Sequence, residues 1–106
     1  MEKITGRKVV TINRRDVVTK RRHALINSER RHTFKKGDKR VSTPRLCVVC
    51  GRPLTSLVIN DNRYVTIQSH IHCHLSKDVT VDICEDVHSC YRTLRRKGEL
   101  EDVNDR

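Results

Sequence analysis

The sequence is poor in the residues that build a large hydrophobic core. It has no tryptophan, one phenylalanine and two tyrosines, and 35% of its 106 residues are hydrophobic. A small domain of this composition buries little apolar surface and commonly needs a metal or disulfide to hold it together. It also lacks an apolar run of the ~18 residues that a membrane span requires. An apolar signal segment is missing at the N-terminus, so we expect a protein that is not secreted.

Negative charge is scarce in the first part of the chain and common in the second. Residues 1–45 carry a net charge of +11, whereas residues 46–106 carry −1. All five cysteines lie in the second part, at positions 47, 50, 73, 84 and 90. This asymmetry predicts a basic arm over 1–45, a cysteine–histidine module over 46–98 and a short acidic tail over 99–106.

The basic arm contains a helix signal. Asn13 is a good helix N-cap, and Asp16 three residues later suits the positive end of a helix dipole. Thinly spaced apolar residues then predict a helix over about 14–30. Residues 32–45 contain Gly, Pro and Ser without a period, so we interpret them as a flexible basic linker.

The clustered cations of the arm favour contact with nucleic acid, because Lys and Arg neutralise phosphates and release counterions. A solvated helix face or another acidic partner, including a protein, are the alternatives. Phe34 is the one aromatic ring in the arm, which favours contact with a phosphate backbone over base readout. Duplex DNA is the favoured partner, and a structured RNA surface is the alternative. The predicted nucleic-acid-binding residues are Arg14, Arg15, Lys20, Arg21, Arg22, Arg30, Arg31, Lys35 and Lys36.

The cysteines favour a metal site over disulfides. An odd number of cysteines without a secretory signal is typical of a reducing compartment, the cytoplasm of the cell or of a host cell. Cys47 and Cys50 have the spacing of a zinc knuckle, and Gly51 permits the tight turn beside them.

The residues after the knuckle predict short strands and one helix. Residues 54–59 and 63–68 are typical of a β-hairpin, and residues 79–83 of another strand. Residues 86–97 predict a helix, with Asp86 as N-cap and Gly98 just beyond its end. The predicted fold is therefore α+β: a small treble-clef-like zinc module of knuckle, hairpin and helix, with a basic N-terminal helix.

A structural zinc ion is expected on Cys47, Cys50, Cys84 and Cys90. His88 is an alternative to either later cysteine, because the spacing Cys84-x3-His88 also suits a metal. The competing interpretation is that Cys84 and Cys90 are buried small hydrophobic residues.

A run of histidines follows the hairpin. On an extended chain His70, His72 and His74 point to one face. Three imidazoles can bind a second ion, or one can activate a water molecule. Solvated histidines at a polar strand end are the alternative.

Over residues 47–98, the order of a CxxC, a His-rich segment and a cysteine pair entering a helix resembles the His-Me finger nucleases. These include the HNH proteins and phage recombination endonuclease VII. In them the His-rich segment, here Ser69-His70-Ile71-His72, ends a strand. The resemblance implies His70 as general base on water, with a magnesium ion stabilising the leaving phosphate oxygen.

The chain departs from that pattern at the metal ligands. Ser69 stands where the family has an acidic ligand or a second histidine, and Tyr91 and Arg95 stand where it has its last Asn or His. A catalytic magnesium would then depend on His72, Asp78 or Asp82, with His72 also an alternative metal ligand.

The chain also resembles the small zinc-finger transcription activators of phages. The wide spacing Cys84-x5-Cys90 fits their second cysteine pair better than it fits that of the His-Me finger nucleases. We therefore expect a zinc-stabilised nucleic-acid-binding protein with a regulatory role, and a metal-dependent nuclease as the alternative.

Overall fold

The computed structural model describes residues 11–101 and confirms the α+β class. Two helices alternate with short strands. In chain order the elements are β1 (Ile12–Asn13), α1 (Arg14–Asn27), β2 (Arg30–Phe34), β3 (Thr55–Val58), β4 (Arg63–Thr66), β5 (His70–His74), β6 (Thr80–Cys84), α2 (Val87–Arg96) and β7 (Leu100–Glu101). Residues 1–10 of the predicted arm and residues 102–106 of the predicted acidic tail lie outside the described part.

Helix α1 begins where the sequence predicts. The Asn13 side chain accepts a hydrogen bond from the backbone N–H of Asp16 at 2.8 Å, which caps the first turn. Val17 and Ala24, two turns apart, are buried against the rest of the protein. The helix ends at Asn27 instead of residue 30, because the chain there turns into a strand.

The prediction of a flexible linker from residue 32 was wrong at its start. Residues Arg30–Phe34 form β2, which pairs with β5 along its whole length in antiparallel register. Its sequence, RRHTF, has no alternation of apolar and polar residues, which is the pattern by which a strand is recognised in sequence. Four of its five residues are accordingly exposed. This edge strand is held by its pairing with β5 and, at its last residue, by the stacking of Phe34 on His70.

The chain after β2 is attached to the hairpin β3–β4. The Gly37 N–H donates to the Thr66 carbonyl at 2.7 Å, and the Thr66 N–H donates to the Asp38 carbonyl at 2.8 Å. Hydrogen bonds from Arg40 lower the pKa of the Asp38 carboxyl to about 2. Gly37 and Asp38, in the part of the chain predicted to be a flexible linker, are therefore hydrogen-bonded to strand β4.

The predicted elements of the cysteine module are present. Strands β3 and β4 form a hairpin whose turn includes Asn62 at φ +52°, a conformation that Asn tolerates. The Asp86 carboxylate accepts from the His88 N–H at 3.0 Å and caps α2. Gly98 follows this helix at φ +74°, as expected for a glycine beyond a helix end.

Three small sheets surround a core rich in cysteine. The order of the largest is β2-β5-β6, and the parallel pair β1–β7 joins the two ends of the described chain. No helix within residues 11–101 is long and apolar enough to span a membrane. The buried hydrophobic cluster consists of Val17, Ala24, Cys47, Val49, Cys50, Leu54, Cys73, Ile83, Cys84, Cys90 and Leu94.

Candidate functional site

Four cysteine side chains converge in the core, and they are the four predicted to bind metal. Their sulfur atoms all lie within 4.8 Å of one another. Two of the separations are 3.8 Å, between the Sγ atoms of Cys47 and Cys90, and 3.7 Å, between those of Cys50 and Cys84. Tetrahedral zinc with bonds of about 2.3 Å to sulfur places its ligands about 3.8 Å apart. The cluster therefore has the donor type and the dimensions to hold a metal ion.

Different elements deliver the four sulfurs. Cys47 and Cys50 lie in a tight loop, Cys84 ends β6, and Cys90 lies in the second turn of α2. The alternative ligand His88 is exposed on α2, where its ring contacts Tyr91. His72 lies in β5 and is hydrogen-bonded to Asp82. Neither histidine belongs to the cluster.

The loop that carries the first two cysteines is a tight turn closed by backbone bonds. The Gly51 N–H donates to the Cys47 carbonyl at 2.7 Å, and the Cys47 N–H donates to the Arg52 carbonyl at 2.9 Å. Gly51 has a backbone φ of +77°, which residues other than glycine rarely adopt. Lys97, at the end of α2, donates from Nζ to the Cys50 carbonyl at 2.7 Å and ties the loop to the helix.

We expect Gly51→Ala to lower the free energy of unfolding by about 2 kcal/mol, which is within the usual cost of a non-glycine residue in the left-handed conformation. Its Cβ would lie 2.9 Å from Lys97 Nζ and displace that side chain from Cys50. Gly98→Ala is the matched control, because Gly98 has a similar φ of +74° with open space around it. Urea unfolding measures both variants, and an equal loss would show that the Lys97 contact contributes nothing.

The electrostatics of the four sulfurs favour a bound cation. Hydrogen bonding from Cys50, and then from Cys84 and Cys90, holds the pKa of Cys47 far below its ordinary value. Hydrogen bonding to Cys47 raises the pKa of Cys84 and of Cys90, so these two thiols do not ionise together with Cys47. A divalent ion removes this conflict, since it deprotonates the thiols that coordinate it.

Arg21 connects helix α1 to this centre. Its guanidinium donates from Nη1 to the Cys84 carbonyl at 2.5 Å and from Nη2 to the Glu85 carbonyl at 3.1 Å. Nη1 also lies 3.6 Å from the Sγ of Cys90. The residue is buried, with 9% exposure. Arg21 therefore has to be removed from the predicted nucleic-acid surface, because its charge faces the cysteine sulfurs.

The fifth cysteine is separate from the other four. Cys73 is fully buried in the middle of β5 and belongs to the hydrophobic core. Burial, followed by the nearby Asp82 carboxylate, raises the pKa of its thiol. It is the one cysteine outside the predicted set of four ligands.

His70, the predicted general base, lies inside the protein. Its side chain is fully buried, and its ring stacks on Phe34 with centroids 5.5 Å apart. Nδ1 lies 2.9 Å from the Gln68 carbonyl, so it carries the proton, and Nε2 accepts from Arg45 at 3.4 Å. Both ring nitrogens are thus occupied, and neither faces solvent.

His72 is more accessible to solvent than His70, with 15% of its side chain exposed. Its Nδ1 donates to the Asp82 carboxylate at 2.6 Å, which fixes the ring and leaves Nε2 as the basic nitrogen. Asp78, another predicted magnesium ligand, is exposed in the β5–β6 turn. Within residues 11–101, the four cysteines are the one group of three or more Cys, His, Asp or Glu side chains whose ligand atoms converge.

The predicted basic residues have different surroundings. Arg15, Lys20 and Arg22 are exposed on α1. The Arg14 guanidinium lies 5.2 Å from the centre of the Tyr91 ring. Lys35 forms an ion pair with Glu85 at 2.7 Å. The remaining exposed members of the predicted set are Arg30, Arg31 and Lys36.

Two residues of this region were not expected from sequence. Arg45 lies 4.7 Å from the Phe34 ring centre and 3.9 Å from the Asp82 carboxylate. His32 lies opposite His72 in the register of β2 and β5. The spacing of His32 and Phe34, two residues apart in Arg30–Phe34, was the signal that could have placed these two rings on one face of a strand. No such signal was present for Arg45.

No family model, curated protein or solved structure matches this chain. The function has to be inferred from the cysteine centre and from the charged and ring-bearing surfaces beside it.

Proposed function

We propose that the protein is a zinc-stabilised nucleic-acid-binding protein with a regulatory role, in which one structural zinc ion organises a basic surface. Four buried thiol ligands with tetrahedral spacing are typical of structural zinc, which leaves no open coordination position for chemistry. The order of knuckle, hairpin and helix carrying the last ligand supports a treble-clef-like module. The resemblance of the spacing Cys84-x5-Cys90 to the small zinc-finger transcription activators of phages supports the regulatory role.

The observation that carries the proposal is the attachment of helix α1 to the cysteine centre. Arg21 is held against the Cys84–Cys90 segment, while Arg15 and Arg22 lie on the opposite, exposed side of the same helix. A helix fixed by its buried side presents its outer cations in a constant geometry. Such a helix face suits the regularly spaced phosphates of a duplex, DNA before RNA.

We expect Arg15→Gln/Arg22→Gln to weaken binding to duplex DNA of any sequence. Two lost phosphate contacts reduce the slope of log K against log salt by about 1.8, which corresponds to tens of fold in affinity at about 0.1 M salt. Fluorescence anisotropy over a salt series measures both quantities.

The matched control is Arg63→Gln/Lys77→Gln, which removes the same charge from exposed positions in β4 and in the β5–β6 turn. Equal losses for the two double variants would mean that only net charge matters. An unchanged affinity for the helix variant would contradict the proposed interface.

The nuclease is the second candidate, and the His72–Asp82 hydrogen bond is the observation that favours it. A histidine oriented by a carboxylate is a common general base. The buried His70 argues against the base that the family resemblance implies. Plasmid DNA and structured RNA incubated with magnesium or manganese distinguish the two functions: cleavage that His72→Ala abolishes would replace the binding role.

A further inference from the structure

The outer face of the sheet β2-β5-β6 carries a concentration of ring side chains, because the pairing of β2 with β5 adds His32 and Phe34 to the histidines of β5. Directly paired residues share a face, and the register forms three rows across the sheet. These rows are Arg30–His74–Thr80, His32–His72–Asp82 and Phe34–His70–Cys84. On the opposite face Cys73 and Ile83 are buried in the core, and Ile71 and Val81 pack against it. One face of the sheet is thus occupied by four histidines and a phenylalanine.

This face changes from buried to open along the strands. His70, in the row that ends at Cys84, is fully buried. His72 in the middle row keeps 15% of its side-chain exposure, and its neighbour His32 is exposed. His74, in the row of the exposed Arg30, is half-buried. The open end of the face is therefore formed by His32, His72, His74 and Arg30.

The rings at the open end contact one another and are held in position. His72 and His74 lie edge to face, with centroids 4.7 Å apart at 85°. His32 and His74 have the same arrangement at 6.0 Å. The bond from His72 to Asp82 fixes the central ring. Rings that are already ordered lose little conformational freedom when a ligand stacks on them.

Cations border the same face. Arg30 lies in the row of His74, and Arg40 and Arg45 lie over Phe34 at 5.6 and 4.7 Å from its ring centre. The one carboxylate within the rows, Asp82, is engaged by His72 and lies near Arg45. The charge of Arg40 is compensated by the Asp38 carboxylate, which it contacts at 2.7 Å. Arg30, in the row of His74, is therefore the cation at the open end that suits an anionic ligand.

We propose that this histidine face binds single-stranded nucleic acid, with nucleobases stacked on His32 and His74 and a phosphate on the bordering Arg30. A strand platform with exposed rings and flanking cations is suited to splayed bases, whose faces are covered in a duplex. The inference rests on the proposed nucleic-acid-binding function and adds a second surface to helix α1. It differs from the expectation, based on Phe34 as the one aromatic ring of the arm, that contact with a phosphate backbone is favoured over base readout.

The test compares three probes of one mixed sequence: a single-stranded RNA, the corresponding single-stranded DNA and the DNA duplex. His32→Ala/His74→Ala should weaken binding of the single strands by about 20-fold or more, since each stacked base is commonly worth at least fivefold. Binding of the duplex should stay within about twofold of the parent. His23→Ala/His88→Ala is the matched control, because both histidines are exposed on helices.

Two further variants separate stacking from a structural effect. His74→Phe keeps a ring and should restore most of the single-strand affinity that His74→Ala loses. His32→Trp introduces the sole tryptophan of the chain, and its fluorescence should be quenched by the single strands and not by the duplex. His32 is exposed on an edge strand, so this variant is expected to fold.

The outcomes distinguish this proposal from the proposed function. Loss confined to single strands, with rescue by phenylalanine, supports the histidine face, and the preferred probe decides between RNA and DNA. Unchanged single-strand binding by the double alanine variant, or equal losses for strands and duplex, overturns it while duplex binding stands. A parent protein that binds none of the three probes overturns the proposed function as well.

Discussion

Cys90→Ser is expected to reduce the zinc content from about one ion per chain to near zero and to unfold the protein. Binding of structural zinc to folded thiolate sites is worth about 10–16 kcal/mol, whereas a whole domain is commonly stable by only about 5–15 kcal/mol. Cys90 is buried among three other sulfurs, and its loss leaves three thiols where structural zinc takes four ligands. Zinc analysis and circular dichroism on the same samples measure both effects, and a chelator should unfold the parent in the same way.

Cys73→Ala is the matched control for this experiment. It also removes a fully buried sulfur, but one that lies outside the metal-ligand cluster. The variant should keep about one zinc per chain and lose only packing energy, roughly 1–2 kcal/mol. A parent protein that is folded and free of metal, or a Cys90→Ser variant that keeps its zinc, would refute the assigned centre.

Arg21→Met is expected to have the second largest effect, a fall in zinc affinity of about 10- to 100-fold, as for other residues that support metal ligands. Four thiolates around a divalent ion leave an excess of two negative charges, and the buried guanidinium lies 3.6 Å from one of the sulfurs. Methionine fills the same space but leaves the carbonyls of Cys84 and Glu85 without their donor. The free energy of unfolding should fall by about 1–3 kcal/mol for that reason alone.

Arg22→Met is the matched control, because Arg22 is the next residue of the same helix and is exposed. Competition with a colorimetric chelator measures zinc affinity, and thermal unfolding measures stability. An Arg21→Met variant with parental zinc affinity and reduced stability would assign Arg21 a packing role only. Equal effects of the two substitutions would indicate a response to net charge.

The cysteine module could be predicted from sequence because its signals are local. The spacing of Cys47 and Cys50, the Asp86 cap and Gly98 beyond α2 each depend on a few neighbouring residues, and the structure has all three features. The convergence of Cys84 and Cys90 on Cys47 and Cys50 was expected from the order of a CxxC pair, a hairpin and a helix that carries the last cysteine. Metal chemistry restricts these residues to few arrangements, so a short pattern carries much information.

The remaining features depend on contacts between distant parts of the chain. Strand β2 has no apolar alternation and is held by its pairing with β5, which no local pattern in Arg30–Phe34 reveals. Arg21 is indistinguishable in sequence from its neighbour Arg22, and only the position of the sulfurs makes one buried and the other exposed. His70 is buried because Phe34 and Arg45, from the segment expected to be a linker, lie against its ring and Nε2.

The parallel pairing of β1 with β7 has a consequence for how the chain reaches this structure. Ile12 pairs with Leu100, and Arg21 bonds to residues 63 and 64 positions further along the chain. Contacts between such distant residues slow folding, because a long loop must close before they stabilise anything. During synthesis, helix α1 emerges early and gains its buried partners only after Cys84 and Cys90 have been made. We therefore expect the nascent chain to stay unfolded until nearly all of the described residues are available, and then to fold and take up its metal in one cooperative step.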